Sequence, residues 1–370
     1  MDGMQHALTP VGHAMTPAGQ AMALAGTIAL AGTTLAPAGL APHTRIVQCT
    51  LKSSIDCVGI GLHSGRRVHM VLHPAAAHHG VVFRRSDLGR DLPARFDLVA
   101  DTRLATVLAD PRDASVRVGT VEHVMAALAG CGVDNALIEV DGPELPVLDG
   151  SAAHLVFLID CAGIVAQDAP RQTIEVLRTV RVSNGDAFAE LSPAYPTAAS
   201  PLPGASTHGG PTHAGPVHAR THAGLHLTMS IAFDAPAIGQ QALSLRLSPN
   251  SFRQELSRAR TFALAEDIDR LRAAGMAQGG SLDNAVVVDE ARVLNPGGLR
   301  MHDEFVRHKL LDAVGDLALA GAPLSASFTA HRSGHGLNNR LLRALLGDAA
   351  AWRMVTQAGT DMSIDVPVAA

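Results

Sequence analysis

Residues 303–320 read DEFVRHKLLDAVGDLALA, and their apolar positions recur at the three- and four-residue spacing of an amphipathic helix. Within this helix, His308 and Asp312 are four residues apart, so both side chains leave the same face. Imidazole and carboxylate groups are ligands that zinc accepts in a catalytic site with an open coordination position. The alternative interpretation is a solvated helix face, and the pair alone does not decide between the two.

The sequence TVEH, residues 120–123, opens a second predicted helix, which ends at Gly130. In the first turn of a helix, Glu122 and His123 can border one cavity, one as a metal ligand and the other beside a metal-bound water. The alternative makes Thr120 an N-cap, Glu122 an acid favoured by the helix dipole, and His123 a core residue.

Glycines flank a histidine in SGHGLNN, residues 333–339, between a predicted strand at 324–329 and a predicted helix that begins near Asn339. Glycine on both sides lets the backbone approach a ligand closely. His335 titrates near neutral pH and is therefore a candidate proton donor or acceptor. The alternative is a turn histidine without a functional role.

Strands and helices alternate along the chain in two similar series. Each series contains an amphipathic helix that ends in Leu-Ala-Gly and is followed by an apolar strand, a weak internal repeat that is compatible with two similar α+β halves. The other predicted strands are 55–72, 81–84, 94–107, 116–118, 136–140, 173–182, 187–191, 225–233 and 242–247. The other predicted helices are 151–162 and 251–258, with a further helix and strands within 266–289.

Composition agrees with a soluble globular enzyme rather than with a nucleic-acid binder. A chain of 370 residues is long enough for two domains, and a net charge of −5 argues against general binding to nucleic acid or anionic membranes. The four cysteines have no CxxC spacing, which suits a reducing cytosol.

Two segments are of low complexity. Residues 1–44 are rich in Ala, Gly, Thr and Pro and contain no Lys or Arg, so they match neither a secretory signal nor a membrane span. We predict a disordered extension there, or alternatively a translation start assigned too early, with Met4, Met15 and Met22 as later candidates. We also predict a short tail at 361–370 and a flexible insertion at 196–224. The insertion lies between two strands and its histidines specify no fixed metal geometry. They are His208, His213, His218 and His222.

The motifs together resemble one family, UDP-3-O-acyl-N-acetylglucosamine deacetylase, a zinc hydrolase of lipid A biosynthesis in Gram-negative bacteria. The resemblance extends from about Thr50 to Val355. Besides the three segments above, it is carried by TLK at 50–52, GIGLHSG at 59–65, VLDGS at 147–151, SRARTF at 257–262, NAVVVD at 284–289 and VLN at 293–295. It implies an α+β fold of two similar two-layer α/β sandwich domains, 45–168 and 171–360, with the active site in the cleft between them.

The resemblance also implies a metal centre. His123, His308 and Asp312 would hold one zinc ion per chain, with ferrous iron as an alternative metal. Glu122 would act as the general base that takes a proton from the attacking water.

Three further residues acquire catalytic roles from the resemblance. The Thr261 hydroxyl would donate a hydrogen bond to the tetrahedral oxyanion, and His335 would protonate the departing amine. Asp316, one helical turn beyond Asp312, would orient and charge His335. Without the resemblance, Asp316 is equally well explained as a helix-surface carboxylate.

The implied substrate is an anionic nucleotide-sugar lipid precursor. Lys309 would contact it, Phe262 would pack on the sugar, and Phe233 would pack on the uracil.

Arg332 would contribute positive charge, although a solvated arginine is the usual explanation. The same applies to the other arginines near the motifs, Arg258, Arg260 and Arg307. Apolar residues after Phe262 are expected either in the core or along the acyl chain: Leu264, Ile268 and Leu271.

Two departures from the family pattern keep other functions open. Ala187 stands where the family commonly has a lysine, and AFDAP at 232–236 replaces Asp-Phe-x-His-Pro. One alternative is therefore a hydrolase of another acetylated amino sugar. The other is a non-catalytic binding protein, against which the intact catalytic positions argue. We expect a cytoplasmic monomer that has no transmembrane segment and does not bind nucleic acid.

Overall fold

The structure, a computed structural model, describes residues 46–194 and 224–356. The predicted extension at 1–44 and the predicted tail at 361–370 lie outside the described residues. So does the predicted insertion at 196–224, apart from Gly224.

Alternating apolar and polar residues build the main sheet of the first half. In Arg67–Pro74, for example, Val68, Met70 and Leu72 are buried and the residues between them face outward. The strands are β1 (Val47–Leu51), β2 (Ile55–Ile60), β3 (Arg67–Pro74), β4 (Val81–Arg85), β5 (Arg90–Pro93), β6 (Val99–Asp101), β7 (Val107–Asp110), β8 (Asp113–Val118), β9 (Ala136–Val140) and β10 (Ile164–Pro170). The helices are α1 (Glu122–Cys131) and α2 (Ala153–Ala162), with a 3₁₀ turn at Phe96–Leu98.

The strands of the first half form three sheets, in the orders β2-β3-β9-β4-β5, β6-β7-β8 and β1-β10. Helix α2 packs on β2 and on α1, which is apolar enough to be buried along almost its whole length. In the first half, α2 therefore packs on the five-stranded sheet, and α1 packs on α2 and against a helix of the second half, Glu304–Ala318.

The second half has a larger sheet. Its strands are β11 (Gln172–Val176), β12 (Val180–Asn184), β13 (Ala187–Pro193), β14 (Leu225–Ala232), β15 (Gln240–Arg246), β16 (Phe262–Leu264), β17 (Val286–Asp289), β18 (Arg292–Val293), β19 (Leu324–His331) and β20 (Trp352–Thr356). Its helices are α3 (Pro249–Ser251), α4 (Ala265–Ala273), α5 (Glu304–Ala318) and α6 (His335–Leu346), with a π-helical turn at Phe252–Leu256.

The larger sheet runs β12-β13-β19-β11-β20, and β14 also pairs with β19 and β15. Strands β16, β17 and β18 form a separate small sheet. Helix α5 packs on β14 and β15, and α6 packs on β12 and β13 and against α5. The second half is thus a sheet covered by helices.

Two glycines allow α1 to approach the second half closely. A Cβ atom at Gly315 of α5 would overlap the carbonyl oxygen of Glu122, and one at Gly130 of α1 would overlap the ring of Phe252. Because neither clash exists with glycine, the first turn of α1 rests directly on α5. This contact brings Glu122 and His123 beside the face of α5 that carries His308.

The predicted α+β class and the pair of helix-covered sheets are confirmed. The predicted helix 303–320 is α5, and the predicted helix 151–162 is α2. Among the described residues, no helix combines the length and the apolar character needed to cross a bilayer. All four cysteines carry free thiols. The proposed domain boundaries at 45–168 and 171–360 stay a prediction.

Several local predictions are wrong. Gly130 does not end α1, since the helix continues to Cys131 and Gly132, at φ 82°, caps it. Thr120 is not the N-cap, because it has φ 58° and its hydroxyl donates to Glu144 instead (3.2 Å). The helix expected near Asn339 begins at His335, so this histidine is helical rather than part of a turn.

Some predicted elements are also broken up. The predicted helix 251–258 is a short α-helix followed by a π-helical turn, and the long predicted strands 55–72 and 173–182 are each two strands with a turn between them.

Candidate active site

A cavity of about 450 Å³ lies where the two halves meet, beside the first turn of α1. Its wall includes residues from both halves. They are Leu62, His63, Thr102, Arg103, Leu104, Thr120, Glu122 and His123 from the first half, and Phe233, Thr261, Phe262, His308, Lys309, Asp312, Ser333, Gly334, His335, Gly336 and Leu337 from the second. Nine of the eleven residues predicted for the site therefore line this one cavity. The other two, Asp316 and Arg332, are not part of its lining.

His123, His308 and Asp312 form a buried cluster at the base of this cavity. One ligand atom from each lies within 4.8 Å of the others. The Asp312 Oδ1 atom is 3.3 Å from Nε2 of His308 and 3.6 Å from Nε2 of His123. Two residues come from α5 and one from α1, so the cluster exists only because the two helices pack together.

The protonation of His308 and Asp312 suits a divalent metal ion. The Nδ1–H of His308 donates to the Ala259 carbonyl (3.1 Å), which leaves Nε2 as the lone-pair atom facing Asp312. Burial lowers the pKa of His308 to about 4. Burial alone would raise the pKa of Asp312, but His308 and Lys309 hold it well below its ordinary value.

His123 differs from His308. Burial disfavours its charged form, but the nearby Asp312 and Glu122 carboxylates outweigh burial and raise its pKa. A metal ion at this cluster would therefore displace a proton from His123. The donor set of two imidazoles and one carboxylate still fits a catalytic zinc site, whose ligands are of these types.

Glu122 occupies the first turn of α1 and is almost completely buried. Its Oε2 atom accepts a hydrogen bond from the backbone N–H of Thr106 (2.9 Å). Burial raises the pKa of Glu122, although the two neighbouring imidazoles, His335 and His123, oppose this. A carboxylate with a raised pKa is a stronger base than an exposed one.

His335 and Asp316 form a buried pair across α5 and α6. The Nδ1–H of His335 donates to Oδ2 of Asp316 (2.9 Å), which also accepts from Nδ2 of Asn338 (2.8 Å). The other oxygen of Asp316, Oδ1, accepts from the Thr106 hydroxyl (2.6 Å). Burial alone would lower the pKa of His335, but the charge and hydrogen bond of Asp316 raise it to about 9.

Aromatic side chains form another part of the wall. The Phe262 ring packs edge-on against Phe305 (5.0 Å between centroids) and against Phe233 (5.6 Å). Lys309 donates from Nζ to Oδ2 of Asp312 (3.2 Å). Thr261 also borders the cavity, and its backbone N–H donates to Gly150.

Arg332 is exposed and donates to Asp186 (2.8 Å) rather than lining the cavity. Its substrate contact stays a prediction. Arg260 is buried and forms an ion pair with Glu304 (2.8 Å), so its charge is neutralised within the fold. Arg307 is likewise paired, with Asp303 and Glu255.

Sequence reasoning missed several residues of the wall, and His63 is the most notable. Neither ring nitrogen of His63 has a hydrogen-bond partner among residues 46–194 and 224–356, and burial lowers its pKa. The Glu144 carboxylate holds this loop by accepting from the backbone N–H groups of His63 (2.7 Å) and Ser64 (2.8 Å). The glycine-rich motif at 59–65 was the available signal.

A larger cavity, of about 590 Å³, lies near the other ends of α1 and α5. It contains none of the predicted site residues, so size alone does not identify the reactive centre.

Comparison with known proteins gives a consistent result. The family model described as UDP-3-O-acyl N-acetylglycosamine deacetylase (LpxC) matches residues 48–201 and 212–347. Three relatives carry the name UDP-3-O-acyl-N-acetylglucosamine deacetylase. The protein from Idiomarina loihiensis is 45% identical over 84% of this chain and 93% of its own length. That from Shewanella frigidimarina is 43% identical over 87% and 96%, and that from Actinobacillus succinogenes is 47% identical over 84% and 93%.

Proposed function

Because the chain belongs to the UDP-3-O-acyl-N-acetylglucosamine deacetylase family, we propose that it hydrolyses the N-acetyl group of UDP-3-O-acyl-N-acetylglucosamine and releases acetate, as a step of lipid A biosynthesis. The observation that carries the proposal is the meeting of a His-His-Asp cluster, a buried glutamate and a charged histidine at one cavity. A cytoplasmic location and a monomeric state belong to the same proposal.

The proposed cofactor is one zinc ion per chain, held by His123, His308 and Asp312, with ferrous iron as the alternative. Such an ion, when bound, supplies Lewis acidity that polarises the acetamide carbonyl and lowers the pKa of water. The bond from His308 Nδ1 to Ala259 keeps Nε2 pointed at the cluster.

Glu122 is the proposed general base. Its Oε2 atom is held by the Thr106 amide, so Oε1 is the oxygen that we assign to the attacking water. The raised pKa of Glu122 makes it a stronger acceptor for the proton of this water.

His335 is the proposed general acid. Its Nδ1–H is engaged by Asp316, so Nε2–H is the group available to protonate the departing amine. The positive charge of the ring would also stabilise the oxyanion that forms before the C–N bond breaks, together with the hydroxyl of Thr261.

The proposed substrate contacts use the remaining wall of the cavity. Phe262 would pack on the sugar ring and Phe233 on the uracil, since both rings border the cavity. Lys309 would bind a polar group of the substrate from the position it holds beside Asp312. Arg332 would assist from the outer surface, after exchange of its Asp186 partner.

The test is acetate release from UDP-3-O-acyl-N-acetylglucosamine by the zinc-loaded protein and its Glu122→Ala variant. We expect the variant to lose activity by about 100-fold or more, because loss of a general base typically costs this much. Glu139→Ala is the matched control, since Glu139 lies on a strand of the first half and does not border the cavity. It should retain activity.

A folded, zinc-bound wild type that releases no acetate would contradict the proposal. The same assay on free N-acetylglucosamine then distinguishes a hydrolase of another acetylated sugar from a protein that only binds. Activity on the free sugar with none on the nucleotide-linked substrate identifies the former.

A further inference from the structure

Thr106 is almost fully buried behind the wall of the candidate site, where it makes three polar contacts. Its hydroxyl donates to Oδ1 of Asp316 (2.6 Å), its backbone N–H donates to Oε2 of Glu122 (2.9 Å), and its carbonyl accepts from the N–H of Val121 (3.3 Å). We propose that Thr106 is a positioning residue that fixes both the general base and the Asp316–His335 pair. The inference rests on the roles assigned in the proposed function.

The Thr106 hydroxyl completes the hydrogen bonding of Asp316. Oδ2 of Asp316 accepts from His335 and Asn338, whereas Thr106 is the donor found for Oδ1 among the described residues. With both oxygens held, the plane of the carboxylate is fixed, and so is the direction of the His335 ring that donates to it. Loss of the hydroxyl leaves Oδ1 buried without a donor, and the carboxylate can then rotate.

The backbone of Thr106 acts on Glu122 independently of the side chain. Thr106 immediately precedes β7, and its N–H and carbonyl both bond to the start of α1. These two bonds fix where the Glu122 carboxylate lies relative to the cavity. A substitution that keeps the backbone in place should therefore disturb Asp316 and His335 while leaving the contact to Glu122 intact.

Thr106 also links the two halves of the molecule next to the proposed catalytic residues. It lies in the first half, whereas Asp316 lies 210 residues later on α5 of the second. The positions of the proposed base and the proposed acid therefore both depend on Thr106. This suits a reaction in which both groups must have a fixed geometry relative to the substrate.

The experiment compares Thr106→Val, Thr106→Ala and Thr106→Ser in the full-length, metal-loaded protein. Valine keeps the shape and removes the hydroxyl, whereas serine restores it. We expect Thr106→Val and Thr106→Ala to lower kcat by about 10- to 100-fold, the usual cost of losing a residue that orients a functional side chain, with KM and metal content unchanged. Thr106→Ser should recover most of the wild-type kcat.

The matched control is Thr50→Val. Thr50 is also buried and its hydroxyl also donates, to the Asn135 carbonyl, but it lies outside the cavity. This variant tests the loss of a buried hydroxyl as such and should keep the wild-type kcat.

A second readout does not depend on activity. In the metal-free protein, the Nδ1 proton of His335 should give a downfield proton NMR signal, because it lies in a buried bond to a carboxylate. We expect the signal to persist in Thr106→Ser and Thr50→Val, and to broaden or move upfield in Thr106→Val and Thr106→Ala.

An unchanged signal together with unchanged kcat in folded Thr106→Val or Thr106→Ala would overturn the inference, and so would a rise in KM alone. If the wild type releases no acetate but its signal still changes in these variants, the proposed function fails while the positioning role stands. The alanine variant keeps the test valid if valine prevents folding.

Discussion

Asp316 lies 2.9 Å from His335, and its charge determines how the proposed acid responds to pH. Burial lowers the pKa of His335, but Asp316 outweighs burial and raises it to about 9. The ring is therefore charged below this pH and loses its proton as the pH rises through it. We therefore expect the pH profile of kcat/KM to have an alkaline limb, on which kcat/KM falls as His335 loses its proton.

Asp316→Asn removes the negative charge and keeps a similar shape. The alkaline limb of kcat/KM should then move to lower pH by about one pH unit or more, because an adjacent opposite charge typically contributes that much. The measurement is kcat/KM between about pH 5 and about pH 10.

The acidic limb provides an internal comparison for this prediction. If Glu122 is the general base, this limb should follow its ionisation; because its pKa is raised chiefly by burial, Asp316→Asn should move the limb far less. Asp289→Asn alters an exposed ion pair with Arg292 and should leave both limbs in place. An alkaline limb that stays fixed in Asp316→Asn would show that another group titrates there.

The grouping of His308 with Asp312 could be predicted from sequence, whereas His123 joined them only through the family resemblance and the supporting contacts could not be predicted. His308 and Asp312 are four residues apart on one helix, and that spacing alone places them together. Thr106 and Ala259 have no such local signal, because a single threonine or a single carbonyl contacts the site only after distant segments have packed.

Between elements, Gly315 of α5 leaves no room for a side chain against the start of α1. Gly315→Ala would improve the intrinsic helix propensity of α5, but the new methyl group would overlap the Glu122 carbonyl oxygen. Overpacking of this kind costs about 1 to 3 kcal/mol. We expect a lower free energy of unfolding in urea and a lower kcat, since Glu122 must move.

Gly297→Ala is the control for this substitution. A Cβ atom at Gly297 meets no other atom within 4 Å, so we expect a change within about 0.5 kcal/mol and an unaltered kcat. Equal unfolding free energies for Gly315→Ala and the wild type would mean that α1 can shift without cost.

Gly130 shows why helix ends were harder to predict than helices. From the sequence, a glycine after an amphipathic run indicates a C-terminal cap. Gly130 instead lies inside α1 because the Phe252 ring fills the space that a side chain would need, and Gly132 provides the cap. A glycine required by a tertiary contact cannot be distinguished from a capping glycine until the neighbouring segment is known.

For the whole molecule, the proposed metal links the two halves, because His123 belongs to the first and His308 and Asp312 belong to the second. A ligand that binds only the folded state stabilises it, by about 2.7 kcal/mol when free zinc is about 100 times its Kd. We therefore expect zinc to raise the melting temperature of the metal-free protein, as measured by thermal unfolding.

His123→Ala should abolish most of this increase, although it removes only one of the three ligands. His69→Ala is the control, since His69 is exposed on the sheet of the first half and pairs with Asp56. An equal increase in wild type and His123→Ala would place the zinc elsewhere.

The α+β class could be predicted for the whole molecule, whereas strand order could not. Periodicity identifies an apolar strand at 324–329, and the structure contains it within β19. Nothing in that segment indicates that β19 pairs with β11, β13 and β14, two of them in parallel. These pairings depend on how distant segments pack and have no local pattern.

The division of the proposed metal ligands between α1 and α5 also has a consequence during synthesis on the ribosome. His123 emerges long before His308 and Asp312, so a growing chain carries one ligand of the three until α5 has been translated. An isolated imidazole competes poorly for metal ions in the cell. If the proposed metal binds there, the three-ligand site would therefore be complete only after α5 has been translated.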